Sequence, residues 1–199
     1  MTSLMVMVRH ATTDWNEQHR LQGRADRPLS ETGRREATAW KIPILSGLDA
    51  DAPSFVSPLH RCVQTAALMG LTPKKEPALI ETDWGEWEGQ RLVDIRAADP
   101  EGLAEREAAG LDFFPPGGES ARDVQERLMP FLAERAHDEK GTIAIAHRGT
   151  LRALYALCVG WDMTGPPPDK MRPACAHAFS LEIDGAVHIH TLNLPLDTS

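Results

Sequence analysis

Leu4-Met5-Val6-Met7-Val8 runs without a break into Arg9-His10, and Thr142-Ile143-Ala144-Ile145-Ala146 runs in the same way into His147-Arg148-Gly149. Each is a short apolar run bounded by polar residues, which reads as a strand. In an open α/β sheet, ligands bind in the crevice outside the carboxyl ends of the strands. Two strands that both end in histidine therefore deliver two imidazoles to one crevice, with Arg9 and Arg148 beside them. A cluster of imidazoles and guanidiniums attracts a dianion, and phosphate fits it.

Outward from these strands the chain alternates helices and strands. A polar loop covers residues 11–29, and Ser30 then caps a helix that turns Ala37, Trp40 and Ile44 inward until Pro43 kinks or ends it. Ser54-Phe55-Val56 is a short strand, followed at Ser57-Pro58 by a helix from Leu59 to Met69 that Gly70 closes. Ala78-Leu79-Ile80 reads as a further strand. After it come a Trp-rich loop, 83–89, a helical stretch to about Ala109 and a rigid turn at Pro115-Pro116-Gly117-Gly118. Ser120 and Asp123 form a capping box for a helix with Val124, Leu128, Phe131 and Leu132 on one face. Leu151 to Val159 is another helix. Phe179, Leu181 and Ile183 alternate with polar residues up to Asp184-Gly185, a hairpin turn that returns through Val187, Ile189 and Thr191. The pattern predicts an α/β three-layer sandwich, with a mainly parallel central sheet flanked by helices and an antiparallel edge hairpin near the C-terminus. A single domain over 1–199 is expected, with a helical insertion at about 90–137 covering the site.

The chain has 199 residues, 42% of them hydrophobic, enough for one sizeable core. A formal net charge of −8 argues against nucleic acid or an anionic membrane as partner, since both need a basic face. No apolar stretch approaches the roughly 20 residues of a membrane span, and no signal-peptide pattern opens the sequence, so a cytoplasmic protein is expected. Cys62, Cys158 and Cys175 are an odd number without a C-x-x-C pair, and buried free thiols are the expectation. His188 and His190 form an H-x-H pair and Cys175 precedes His177 by two, but no third ligand stands at a matching spacing. No metal and no cofactor are expected. The edge hairpin leaves a strand through which two copies can pair as a homodimer.

Phosphoryl transfer without a metal needs an in-line nucleophile, fixed cations on the non-bridging oxygens and an acid for the leaving group. A neutral imidazole at His10 can attack phosphorus if its other ring nitrogen donates to a carbonyl. Arg9, Arg61 and His147 can hold the oxygens. Neighbouring arginines lower the pKa of an imidazole, and a bound phosphate raises it.

At this point the residues resemble a known family. Arg9-His10-Ala11-Thr12-Thr13-Asp14-Trp15-Asn16, continuing to Arg20, Gly23, Asp26 and Pro28 through Gly33, resembles the opening signature of the histidine phosphatase superfamily, the phosphoglycerate-mutase-like fold. Ser57 to Ala66 is similar to its second arginine motif, and Leu79-Ile80-Glu81 through Gly89 to its acidic motif. Pro116 to Ser120 is similar to a loop of its phosphatase branch, and Ala146-His147 to Arg152 to its second histidine motif. The resemblance implies that His10 is the phosphorylated nucleophile and Glu81 the proton donor, with Asp83 and Glu86 close enough in sequence to compete for that role. It also implies that Arg9, Arg61 and His147 form the phosphate pocket, lined further by Asn16 and Ser57; Arg20, Gly23 and Arg148 are further candidate phosphate-binding residues. Two departures stand out: Ala11 and Arg148 occupy positions where the family usually has glycine. Ala11 adds a methyl group where backbone approaches phosphate, and Arg148 either points away or adds a cation at the mouth.

The expected activity is metal-independent hydrolysis of a small phosphomonoester, a phosphorylated metabolite, through phosphohistidine at His10. A mutase is the nearest alternative. Mutases of the family are expected to carry a longer segment between the acidic motif and the second histidine, so the short segment here favours hydrolysis. A phosphate-binding module with little turnover and a metallohydrolase are the rivals from other classes.

Overall fold

The computed structural model describes residues 2–196. Its strands are β1 (Thr2–Arg9), β2 (Ser54–Val56), β3 (Lys74–Lys75), β4 (Thr142–Ala146), β5 (Cys175–Glu182) and β6 (Val187–Pro195). They form one sheet in the order β3-β2-β4-β1-β5-β6. The pairs among β3, β2, β4 and β1 are parallel, and β5 and β6 close the sheet as an antiparallel hairpin. The helices are α1 (Asp14–Glu17), α2 (Glu31–Ala39), α3 (His60–Leu68), α4 (Leu92–Ala98), α5 (Pro100–Glu107), α6 (Ala121–Arg135) and α7 (Arg148–Val159).

The period-two alternation of side chains along β1 builds both core layers. Met5 and Met7 pack with Val124, Leu128 and Phe131 of α6 and Leu151 and Leu154 of α7. Leu4, Val6 and Val8 face the other way, into Ala37 of α2 and Cys62 and Ala66 of α3. Each fully buried side chain of this size stabilises the fold by about 1.5–3 kcal/mol. Helices thus cover both faces of the sheet, and both central strands end on the same side. β1 and β4 are direct neighbours, with Arg9 opposite Ala146. The His10 N–H continues the ladder to the Ala146 carbonyl at 3.0 Å, which sets His10 beside His147.

Several local expectations are corrected. Ala78-Leu79-Ile80 is not a strand: Pro77–Leu79 is a 3-10 turn, opened by the Glu76 side chain accepting from the Ala78 N–H. The edge strand is Lys74–Lys75 instead. The helix begun at Ser30 ends at Ala39, and Trp40 turns extended. Ile44 is wholly exposed rather than inward, because the Lys41 N–H is drawn off to the Leu196 carbonyl. Ile183 is exposed where the chain leaves β5. The helix expected from Leu151 starts at Arg148, one residue after the strand-end histidine. α6, which the sequence placed within the insertion, packs its apolar face into the core layer, so α4 and α5 are the helices that stand apart from it.

Candidate active site

β1 and α3 carry the cations of the crevice. Arg61, in the first turn of α3, is fully buried (0% exposed) and spreads its planar fork over three acceptors. Nη2 donates to the Gly23 carbonyl at 2.7 Å, Nη1 to the Ala25 carbonyl at 3.0 Å and Nε to His147 Nδ1 at 3.2 Å. No carboxylate lies within ion-pair distance of Arg9 or Arg61 among the described residues. Arg9 Nε is buried without a hydrogen-bond partner. Burial lowers the pKa of both guanidiniums. A buried cation without a counter-ion is expensive, and an incoming anion removes that cost.

The hydrogen bonds fix both imidazole tautomers. A carbonyl can only accept, so His10 Nδ1, 2.8 Å from the Ala11 oxygen, carries the proton and Nε2 is bare. An Arg Nε–H can only donate, so His147 Nδ1 is bare and its Nε2–H faces Ser57 Oγ at 2.6 Å. The two rings meet edge to face with centroids 5.2 Å apart. Burial first, then Arg9 and Arg61, push the His10 pKa well below its ordinary value. Burial and Arg61, with His10 and Arg9 behind them, do the same to His147.

These histidines bind a proton on unfolding that they refuse when folded. Below about pH 6.5 the unfolded chain therefore holds more protons, and stability falls as the pH drops. His177, buried on β5 with a pKa lowered by burial to about 4, adds to the same slope between those two values. Urea unfolding at pH 7, 6 and 5 is expected to show stability falling at each step, with a shallower fall in His177→Gln. A flat profile in the wild type would contradict three neutral buried imidazoles.

Glu81 is buried at the amino end of α7. Its carboxylate accepts from the N–H groups of Gly149 (3.2 Å), Thr150 (3.2 Å) and Thr82 (2.9 Å), a position the helix dipole favours for an anion. Only glycine at 149 leaves room for it, since a Cβ there would stand 2.5 Å from Glu81 Oε1. Gly149→Ala is expected to lower thermal stability despite the better helix propensity of alanine, because its Cβ would strike Thr82 Oγ1 as well as Glu81 Oε1. It should cut turnover about tenfold or more by displacing the carboxylate. Equal activity in a thermal-shift-matched sample would contradict a role for Glu81 at this place.

The structure brings His10, His147, Arg61 and Ser57 together, with Arg9 and Glu81 close enough to act on one another's charge. Gly23 belongs to the cluster through the carbonyl that holds Arg61, and a Cβ on it would strike Glu88 Oε1 and the Thr82 carbonyl. Asn16 uses Oδ1 to cap α1 at the Thr13 N–H. Arg20 does not join the cluster. Left-handed backbone at His19 (φ 56°) turns it away, and it donates to the Gly89 carbonyl and Gln18 at a separate surface cavity. Arg148 is exposed and makes no hydrogen bond or ion pair among the described residues. The Ala11 methyl belongs to the apolar cluster with Leu29, Ala37 and Ala66. Trp84 and Trp87 both pack against Phe113.

Two residues escaped the sequence reading, and Cys62, expected as a buried free thiol and found so, also lies in the site. Thr65 Oγ1 accepts from the Ala11 N–H and donates to the Arg61 carbonyl, tying the loop after His10 to α3. Gln22 is buried against Thr13 and leaves its Nε2 without a partner. Cys62 sits with Sγ 3.4 Å from His147 Nε2, its thiol pKa raised by burial. The polar spacing of Gln22 and Thr65 carried no signal that a local pattern could use. On β6, His188 and His190 are exposed, while His177 is buried with Nδ1 accepting from the Asn193 N–H.

A family model described as the histidine phosphatase superfamily (branch 1) matches residues 5–194. A 2,3-bisphosphoglycerate-dependent phosphoglycerate mutase from Methylobacterium radiotolerans is 30% identical over 96% of this chain and 96% of its own. A glucosyl-3-phosphoglycerate phosphatase from Mycobacterium tuberculosis is 35% identical over 76% of this chain and 73% of its own. The solved structure of a mycobacterial glucosyl-3-phosphoglycerate phosphatase superposes with a TM-score of 0.74 at 28% identity, covering 98% of this chain and all of that one. A relative named as a mutase thus aligns almost end to end, so the shortness of the segment between Glu81 and His147 does not separate hydrolysis from transfer. The match spans the two histidine-ended strands, α3 and the acidic segment between them, and the chain belongs to branch 1 of the histidine phosphatase superfamily.

Proposed function

We propose that the chain is a metal-independent phosphatase that hydrolyses a small phosphorylated metabolite through phosphohistidine at His10. The observation that carries this is a bare imidazole nitrogen beside the buried Arg61 and the half-buried Arg9, neither of them in an ion pair among the described residues. His10 Nε2 attacks phosphorus, the bond from phosphorus to the leaving oxygen breaks, and Glu81, entering the step as the carboxylic acid, passes its proton to that oxygen. Arg9, Arg61 and the His147 Nε2–H, steadied by Ser57, meet the charge on the non-bridging oxygens. Water then attacks the phosphohistidine, returning a proton to Glu81 and releasing inorganic phosphate. Asn16 lines the same pocket through its amide NH2, and α4 with α5 forms the cover of a single domain. Reduced cysteines support a cytoplasmic setting: none of the three is in a disulfide.

A mutase is the second reading, favoured by the relative that carries that name. Both reactions share the phosphohistidine and differ in whether water or an alcohol receives the phosphoryl group. The test is incubation with an aryl phosphate and, separately, with 3-phosphoglycerate, with chelator present. Multiple turnovers of phosphate release from both support hydrolysis. Isomerisation of 3-phosphoglycerate without release supports the mutase. Loss of all turnover on chelation contradicts both and indicates a metallohydrolase.

A further inference from the structure

The segment that supplies Glu81 carries a second carboxylate, Glu88, to which the reaction above gives no task. Glu88 is half-buried and enters no ion pair among the described residues. Its oxygens turn to the backbone instead: Oε1 accepts from the Arg24 N–H, and Oε2 from the Ala25 N–H at 2.8 Å. Those two residues belong to the loop that holds Arg61. The Arg24 N–H lies in the same peptide group as the Gly23 carbonyl, which accepts from Arg61 Nη2 at 2.7 Å. In a trans peptide the N–H and C=O point to opposite sides, so one planar group is bonded to the Glu88 carboxylate on one side and to the Arg61 guanidinium on the other. Ala25 also faces both, its N–H on Glu88 and its carbonyl accepting from Arg61 Nη1 at 3.0 Å. Asp26 then ties the loop to α3, where its Oδ1 accepts from the His60 N–H at 2.7 Å, one residue before Arg61.

A carboxylate can accept from both N–H groups at once, and its charge polarises the Gly23–Arg24 peptide so that the Gly23 carbonyl becomes a stronger acceptor. In direct contact with Arg61 the same carboxylate would occupy the donors that a phosphoryl group needs. One peptide away, it orients the guanidinium and leaves those donors to the substrate. We propose that Glu88 is the positioning residue of Arg61: acting through the backbone of residues 23–25, it sets the plane of the guanidinium and so holds Nε against His147 Nδ1. The bonds then run in series from Glu88 through the loop and Arg61 to His147, and from the His147 Nε2–H to Ser57. The acidic segment thus serves the pocket at both ends, with Glu81 at the start of α7 and Glu88 behind the buried cation. The proposal rests on the phosphatase chemistry above, in which Arg61 meets the phosphoryl oxygens.

Glu88→Gln keeps the length of the side chain but offers one acceptor to two donors, and Glu88→Asp keeps the charge one methylene short. For an aryl phosphate, kcat/KM is expected to fall about tenfold in Glu88→Gln, through kcat as well as KM, with Glu88→Asp in between. On an Arg61→Lys background the same substitution should cost less than about twofold, because the fork that Glu88 positions is already gone. Nitrogen NMR of the histidines in the ligand-free protein reads the effect without turnover. The wild type should show His147 Nδ1 bare, and Glu88→Gln should shift that resonance toward its protonated position as the Arg61 donor loosens. Equal losses on the two backgrounds, or an unchanged His147 resonance, would overturn the proposal. So would tighter binding of inorganic phosphate by Glu88→Gln, the result expected of a carboxylate that acts only as a negative charge near the cations. No phosphate release by the wild type would instead sink the phosphatase chemistry, while the His147 resonance would still decide the role of Glu88.

Discussion

His10→Ala is expected to lose at least about 10⁴-fold in kcat for phosphate release while remaining folded. Nothing nearby can replace the nucleophile. His147 presents Nε2–H rather than a bare nitrogen to Ser57, and its Nδ1 is occupied by Arg61. The Cys62 thiol is buried and its pKa is raised, so it offers no thiolate. The variant keeps both unpaired guanidiniums, so it should bind inorganic phosphate at least as tightly as the wild type. It also removes one imidazole that must stay neutral to remain buried, so its stability should fall less steeply between pH 7 and pH 5. Calorimetric phosphate binding together with urea unfolding checks both. Loss of binding along with turnover would mean that the substitution had collapsed the pocket.

Arg61→Lys is expected to cost about 10²–10³-fold in kcat/KM although it preserves the charge. The guanidinium reaches the Gly23 and Ala25 carbonyls and His147 Nδ1 from one rigid plane. An ammonium is a point donor that cannot span all three, so at least one buried acceptor is stranded. His147 would then lose the donor that fixes its tautomer, and Nε2–H would no longer be held toward Ser57 and the phosphate oxygens. Destabilisation of about 1–3 kcal/mol should accompany the loss, the cost of an unsatisfied buried polar group. Steady-state kinetics and urea unfolding on one preparation measure both. Wild-type activity in the lysine variant would show that charge alone matters here.

The layers and the two histidines were legible because β1 and β4 carry their own pattern: continuous apolar runs, alternate residues meeting opposite helix layers, and a histidine at each end. Long-range ties were not legible. Ile44 reads as the inward residue of a helix, yet the chain leaves that helix at Trp40 and is drawn to Leu196. Ala78-Leu79-Ile80 reads as a strand, but Pro77 and the Glu76 cap fold it into a turn. Arg20 shares a motif with His10 and is still swung out of the crevice by one left-handed residue, His19. Gly23 and Gly149 reveal their purpose only in three dimensions, where each leaves space for a carboxylate oxygen. α7 gave no start signal, since its N-cap, His147, makes no side-chain cap bond and is turned toward Ser57 and Arg61.

The most direct measurement is to quench the enzyme with base during turnover of an aryl phosphate and locate the trapped phosphoryl group by peptide mass spectrometry. The expected result is phosphate on His10, absent from His10→Ala and formed with chelator present. Sustained phosphate release with no phosphoenzyme, or with the label on another residue, would contradict catalysis through phosphohistidine at the end of β1.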